Sequence, residues 1–476
     1  MYSRAVSKTI AIIIAVIVVI AIIAAAAMVM TPPTPSPTSP SPKPTPTTPT
    51  TPTTPPTPTP TTPTPTTPTT PIEEIPSEIR IGVAIQLSGA QVVEGAASFR
   101  GIQCAVKWIN DHGGVNFKGR KVPLKLIYYD CESKRDYAVK LVEKLITEDK
   151  VHIVIHPYAS TFVMATAPVT EKYKMFSINF GGSSDALYQQ GFKYMVSTHG
   201  FAVIHYWQTP FTMIKEVDPG AKKVAIIFKD DEWGRSLGES ARIKTKNFGF
   251  EVVYDRSYPP DITDATPMLR EIAALKPDIL CVGGHYKDGY LIATQLRDLR
   301  INIKWVIIQV TVAKPEFSDL GKWAVGFMGE TTWEPECKWD VIAAKEGKEY
   351  YGPTSDELVK LYYELGGTGR PSAYTGYGAI SVLVAAKCIE TAQSLNPDKL
   401  IQAAKQLDFY CVKSRFKVDP ENPAKQIGSI NPVVQWQRGE GNKLVYAVIY
   451  PFEFATSNPI PMPTWEEKEG WPELKP

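Results

Sequence analysis

Two kinds of apolar spacing alternate along residues 79 to 450. Short β-branched runs at 79–85, 122–129, 151–155 and 175–178, bounded by turn residues, predict buried strands. Between them, 97–110, 136–146 and 162–173 carry apolar residues at helical spacing. Repeated βα units of this kind build a parallel sheet covered by helices on both faces. The pattern then restarts, with strands at 224–228, 251–258, 279–282 and 305–308 alternating with helices at 201–217, 236–247, 267–275 and 290–299. Helices at 356–365, 374–391 and 397–407 precede β-like runs at 433–436 and 444–449. No residue-level repeat stands out, yet two successive α/β sets predict two similar lobes. Residues 456–476, rich in Pro and Glu, predict an extended tail.

The N-terminal part follows neither spacing. Residues 10–30 are Ile, Val, Ala and Met without a charge, close to the roughly 20 needed to span a bilayer as a helix. Arg4 and Lys8 precede the run and no Lys or Arg follows until Lys43, so the positive-inside bias predicts a cytoplasmic N-terminus and an extracellular globular part. The competing reading is a cleaved secretory signal, since residues 24–27 are all alanine; the run exceeds the roughly 7 to 15 residues of a signal core, which favours a retained anchor. No cysteine lies nearby to carry a lipid. Residues 31–71 contain only Thr, Pro and Ser apart from Lys43, which predicts a disordered tether extended as polyproline II. At roughly 3.1 Å per residue it reaches up to about 120 Å, and its hydroxyls suit O-glycosylation.

Charge removes one class of partner. Residues 1–71 hold three basic residues and no acidic one, which leaves 48 basic against 49 acidic in the remainder. Such balance argues against nucleic acid, which calls for a basic face. About 400 residues exceeds one typical core, again favouring two lobes. The six cysteines, at 104, 131, 281, 337, 388 and 411, have no paired spacing that suggests zinc, and outside a cell some could pair in any of about 15 full arrangements.

In open parallel sheets ligands gather at the carboxyl ends of the strands. The loop after the third strand is His156-Pro-Tyr-Ala-Ser160-Thr161, and that after the fourth is Phe180-Gly-Gly-Ser183-Ser184-Asp185. Two hydroxyl-rich loops, one opening a helix, form a candidate cradle for a carboxylate. Ser160 and Ser184 also fit the plainer role of helix caps.

Across 79–449 the chain resembles the Leu/Ile/Val-binding type of solute-binding protein, the receptor component of branched-chain amino acid and amide ABC importers. The resemblance runs through Ile81-Gly-Val-Ala-Ile-Gln-Leu-Ser88-Gly89, Arg100-Gly-Ile, Trp108-Ile-Asn-Asp-His-Gly-Gly-Val, Gly119-Arg120-Lys121-Val, Ala167-Pro168-Val169, Tyr258-Pro259-Pro260 with Thr263-Asp264, Gly283-Gly284 and Pro371-Ser372-Ala373-Tyr374. It implies two doubly wound α/β lobes with a three-strand hinge. Lobe 1 takes 78–199 and 330–408, and lobe 2 takes 200–329 and 409–455, after an anchor at 1–30 and a linker at 31–77. It further implies that Ser160, Gly181 and Ser183, with Thr161 and Ser184 beside them, hold an α-carboxylate. By the same resemblance Asp288 receives an α-ammonium and Trp233 covers the ligand. Glu94 stands where the family commonly has an aromatic, which implies a polar or charged side-chain pocket. The tripeptide Phe180-Gly181-Gly182 and the short Asp288 also depart from the family pattern. Asp288 could alternatively cap the helix beginning at Tyr290.

Two motifs are weaker. Gly234-Arg-Ser236-Leu-Gly238 matches the hydrolase elbow GxSxG, but the preceding strand ends near Phe228 instead of delivering the serine directly. His152 and His156 flank a strand and lack the HExxH pattern of zinc sites. The expectation is therefore a membrane-tethered extracellular receptor without catalysis or cofactor, capturing a small amino acid or amide and presenting it to an ABC permease. A sensor ectodomain signalling through a partner chain is the alternative, and a Ser236-dependent hydrolase the third.

Overall fold

The computed structural model describes residues 74–475. The anticipated membrane span and nearly all of the linker lie outside those residues. Among the described residues no helix is long and apolar enough to cross a membrane.

The first sheet is built from β1 (Ile79–Ile85), β4 (Leu124–Asp130), β5 (Ile153–Ile155), β6 (Ser177–Asn179) and β7 (Met195–Ser197), while β2 (Val115–Phe117) and β3 (Arg120–Val122) form a separate hairpin. Its order is β4-β1-β5-β6-β7, parallel throughout. In β1, Ile79, Ile81, Val83 and Ile85 enter one core and Ala84 the opposite one. Alternate side chains of a strand point to opposite faces, so a central strand covered on both sides reads as an unbroken apolar run.

The second sheet holds β8 (Lys223–Lys229), β9 (Glu251–Tyr258), β10 (Ile279–Gly283), β11 (Trp305–Ile308), β12 (Phe327–Glu330), β15 (Val433–Arg438) and β16 (Leu444–Tyr450). Its order is β16-β15-β12-β11-β10-β8-β9; β15 pairs antiparallel with both β12 and β16, and the remaining pairs are parallel. In β10, Leu280 and Val282 enter one core and Ile279 and Cys281 the other.

The chain passes between the sheets at 198–201, at 331–338 and at 418–432. After the second passage, helices Trp339–Lys345, Ser355–Glu364, Ala373–Ala392 and Pro397–Gln406 return to the first sheet's core. Helix Ala373–Ala392 lies directly on helix Val92–Asp111. A Cβ at Gly101 would stand 1.9 Å from the Thr375 carbonyl oxygen, and one at Gly378 would stand 1.8 Å from that of Ser98. Only glycine permits so close an approach.

The structure departs from the sequence reading in several places. Expected helix 201–217 is two, Ala202–His205 and Gln208–Val217. Trp207 between them has φ +65°, with its backbone N–H donating to Glu330 Oε2 at 2.7 Å and its indole N–H to the Leu237 carbonyl at 2.9 Å. The hairpin β13 (Asp408–Cys411) and β14 (Ser414–Lys417) packs Phe409, Tyr410 and Phe416 into the first sheet's core, although 409–455 was assigned to the second lobe. Residues 456–475 are no free tail. Gln435 exchanges hydrogen bonds with the Ile460 backbone, Gln437 donates to the Asn458 carbonyl, and Trp465 is buried beside Phe327. All six cysteines are buried and unpaired.

Candidate functional site

The carboxyl ends of β5 and β6 carry the two hydroxyl-rich loops, and the fold ties them together. Gln86, just beyond β1 and wholly buried, donates to the Tyr158 carbonyl at 2.9 Å and accepts from the Tyr158 N–H at 3.2 Å. Asn179, at the end of β6, accepts from the Gly182 N–H at 2.8 Å and donates to its carbonyl at 2.9 Å. Ser160 Oγ accepts from the N–H groups of Ser183 and Ser184, at 3.1 and 3.0 Å. It therefore clamps loop to loop, a role the spacing of Ser160 in the sequence did not suggest. Gly181 sits against Tyr158, where a Cβ would come within 2.8 Å of the ring.

A cavity of about 390 Å³ opens over these loops, lined by Ser160, Thr161, Gly181, Ser183 and Ser184 from the first-sheet side. Asp231, Glu232, Trp233 and His285 line it from the second-sheet side. Six of the eight expected binding residues thus line it, five from the first half with Trp233 facing them. Aromatic rings make much of the remaining wall. Tyr158 and Tyr374 lie 5.3 Å apart, Tyr374 and Tyr377 5.4 Å, and Tyr206 and Trp233 5.1 Å, all edge to face. Such pairs rigidify the wall and leave ring faces for a ligand.

Two expected residues lie elsewhere. Asp288 is inside helix Tyr286–Asp298, not ahead of it, and is buried. Its Oδ2 accepts from the Tyr258 hydroxyl at 2.6 Å and the His285 N–H at 3.0 Å, while Oδ1 is 3.4 Å from Lys229 Nζ. The capping role is the one it fills, and it does not line the cavity. Its helix was placed four residues late because the polar first turn carries no apolar periodicity. Glu94 pairs with Lys314 at 3.2 Å, joining helix Val92–Asp111 to the segment after β11, also outside this cavity.

The carboxylates facing the hydroxyl loops are Asp231 and Glu232, which the sequence reading missed. Asp231 caps helix Glu232–Asn247, accepting from the Gly234 N–H at 2.8 Å, with His285 Nε2 3.2 Å away. Burial acts against it, but His285 and the Gly234 N–H hold its carboxyl below the ordinary range. Glu232 Oε1 accepts from Ser184 Oγ at 2.8 Å. The run Asp230-Asp231-Glu232 directly before Trp233 was the available signal. His199, whose ring is 4.5 Å from Tyr377, also lines the cavity; burial and the nearby Lys413 charge push its imidazole well below its usual value, so it is neutral at pH 7.

The weaker motifs resolve simply. Ser236 lies one turn into helix Glu232–Asn247, its Oγ donating to the Glu232 carbonyl at 3.1 Å, so it tops no elbow. His156 is buried 2.9 Å from Thr166 Oγ1, and His152 Nδ1 accepts from the Arg80 N–H at 2.9 Å. Among the described residues no group of three or more metal-ligating side chains converges.

Two α/β halves, linked by three passages of chain and enclosing a cavity between strand ends and helix starts, define a bilobal binding protein. The chain belongs to the periplasmic binding protein family, whose sequence pattern it matches over residues 78–439. It is 21% identical over 383 residues to Leu/Ile/Val-binding protein homolog 1 of Brucella abortus, covering 78% of this chain and 93% of that one. The branched-chain amino acid transporter substrate binding protein LivJ of Streptococcus pneumoniae, solved with isoleucine, superposes with a TM-score of 0.58 at 20% identity, covering 78% of this chain and 99% of that one. An ABC transporter solute binding protein of R. palustris, solved with 4-hydroxybenzoate, gives 0.62 at 19% identity, covering 80% of this chain and 98% of that one.

Proposed function

We propose that this chain is the extracellular receptor of an ABC importer, capturing a small amino acid or amide between its two lobes and delivering it to a membrane permease. The observation that carries the reading is the cavity itself, with hydroxyls and backbone amides on one wall and the carboxylates of Asp231 and Glu232 on the other. A zwitterion suits that polarity, because each of its charges needs a partner once closure removes water. In this reading Ser183 and Thr161, with the Gly181 backbone, hold the carboxylate, and Asp231 and Glu232 replace Asp288 as partners of the ammonium. A ligand bridging both walls favours the closed arrangement, which a permease can then recognise. The protein performs no chemistry of its own. Residues 10–30 anchor it in the membrane and 31–71 tether it outside the cell. Protease treatment of intact cells tests that topology: accessible receptor with a membrane-retained N-terminal stub is expected, and protected receptor refutes it.

The aromatic wall and the hydroxybenzoate bound by the R. palustris neighbour favour a second ligand class, an aromatic carboxylate. Mass spectrometry of solutes released from the purified full-length chain tests both. An amino acid or amide supports the first reading, and a benzoate the second. A released solute with no carboxylate or amide, or no small-molecule binding by calorimetry across both classes, removes the proposal.

A further inference from the structure

The hydroxyl-lined cavity does not end at its aromatic wall. Tyr206, Val310, Tyr374 and Tyr377 also line a second cavity of about 300 Å³. Most of the charges around that second space are paired with one another. Lys314 pairs with Glu94 at 3.2 Å, and Arg370 pairs with Glu334 at 3.0 Å and Glu336 at 2.6 Å. The Tyr446 hydroxyl donates to Glu334 at 2.9 Å and the Trp436 indole to the Val312 carbonyl at 2.9 Å. Glu330 accepts from the Trp207 N–H and the Thr209 hydroxyl, at 2.7 and 3.1 Å. Glu316 stands exposed beside them. The rest of the lining is mostly apolar, including Ala313, Pro371, Ala373 and Trp436, with the hydroxyls of Thr331, Thr332 and Ser372 set among them.

Glu94, which the resemblance places at the side-chain pocket, is paired with Lys314 and does not itself line this cavity. A concave apolar space continuous with a polar one is the usual build of a site for an amphipathic ligand. An anionic side chain would meet Glu316, Glu330 and Glu334, and one that drew Arg370 away would leave the buried Glu334 unmatched, which is costly. An aryl or long alkyl body meets no such obstacle and is favoured by the ring faces.

Resting on the solute-receptor reading above, we propose that this second cavity is a side-chain subsite and that the solute is an α-amino acid with a bulky apolar, aryl-sized side chain. Its charged head stays at the hydroxyl loops and at Asp231 and Glu232. Its side chain enters the second cavity through the shared Tyr206–Tyr374 wall. Small and branched side chains leave that space unfilled.

Calorimetry of the full-length chain with L-alanine, L-leucine, L-phenylalanine and L-biphenylalanine keeps the head constant while the side chain grows. Affinity is expected to rise along the series, with L-biphenylalanine about tenfold or more tighter than L-leucine. Ala373→Phe and Ala313→Phe, on separate elements, fill the second cavity; in whichever folds, the preference for L-biphenylalanine over L-leucine is expected to fall about tenfold. L-leucine binding as tightly as the aromatic pair, or a preference that both filling variants leave intact, overturns the subsite while the receptor reading stands. If no member of the series binds, the amino-acid reading and the subsite fall together.

Discussion

Ser184 and Glu232, 48 positions apart in sequence, meet across the cleft, where the serine hydroxyl donates to the glutamate at 2.8 Å. One belongs to the loop after β6 of the first sheet and the other to the first turn of the helix after β8 of the second. Glu94 and Lys314 make another polar contact between the halves. A ligand that binds Glu232 must compete with Ser184 or share the carboxylate with it.

Ser184→Ala and Glu232→Gln should each loosen closure. A double-mutant cycle on urea unfolding is expected to give a coupling of about 0.5 to 1.5 kcal/mol, the net value of a single hydrogen bond. Small-angle scattering should record a larger radius of gyration for both variants without ligand. Additive unfolding energies and unchanged scattering would mean the pair holds nothing closed.

Asp288→Asn should act on folding and leave solute affinity nearly alone. Its carboxylate satisfies the Tyr258 hydroxyl and the His285 N–H within a buried cap, and weakening them is expected to cost about 1 to 3 kcal/mol of stability. Urea titration beside calorimetry separates the effects. A large loss of affinity with full stability would return Asp288 to the ligand.

Glu330 makes stability fall as pH rises. Burial lifts its carboxyl from 4.5 to about 7, against hydrogen bonds from the Trp207 N–H, Gln309 and Thr209. The folded state then holds the proton more tightly than the unfolded one, so the contribution is full below about 4.5 and is lost as pH climbs through about 7. Relative to Glu330→Gln, the natural chain should lose up to about 3 kcal/mol across that interval. A flat difference between the two urea curves would contradict this.

Lys468 has the opposite sign. It is fully buried, with its ammonium 4.2 Å from the Trp465 ring centroid, and burial lowers its value from 10.5 to about 7. Between about 7 and 10 the unfolded chain binds the extra proton, so stability rises with pH in that window. Lys468→Met should flatten the rise, as read from thermal midpoints at successive pH values. An unchanged slope would exclude Lys468 as its source.

Buried apolar strands were legible from the sequence alone. Spans 79–85 and 305–308 match β1 and β11, because unbroken apolar runs mark strands covered on both faces, and 251–258 matches the largely exposed edge strand β9. The three-residue β7 and the four-residue β12 were not, since Met195-Val-Ser is too short to establish a period and Phe327-Met-Gly-Glu lacks the β-branched residues that mark β11. At the cavity, the hydroxyl loops could be found because they follow strands directly. Asp231 and Glu232 were hidden by the same fact that displaced Asp288: a polar first turn belongs to its helix through capping bonds, which apolar spacing does not register.

The six cysteines carry a practical consequence. With each thiol enclosed and none cross-linked, packing alone supports the described domain, so reductant and oxidant should leave it equally folded. Burial also drives the thiols upward, to about 12 for Cys104 and about 11 for Cys131 and Cys411, which suppresses the reactive thiolate. A single cysteine engineered onto the surface could therefore take a fluorophore against a silent background, giving a direct optical record of the cleft opening and shutting.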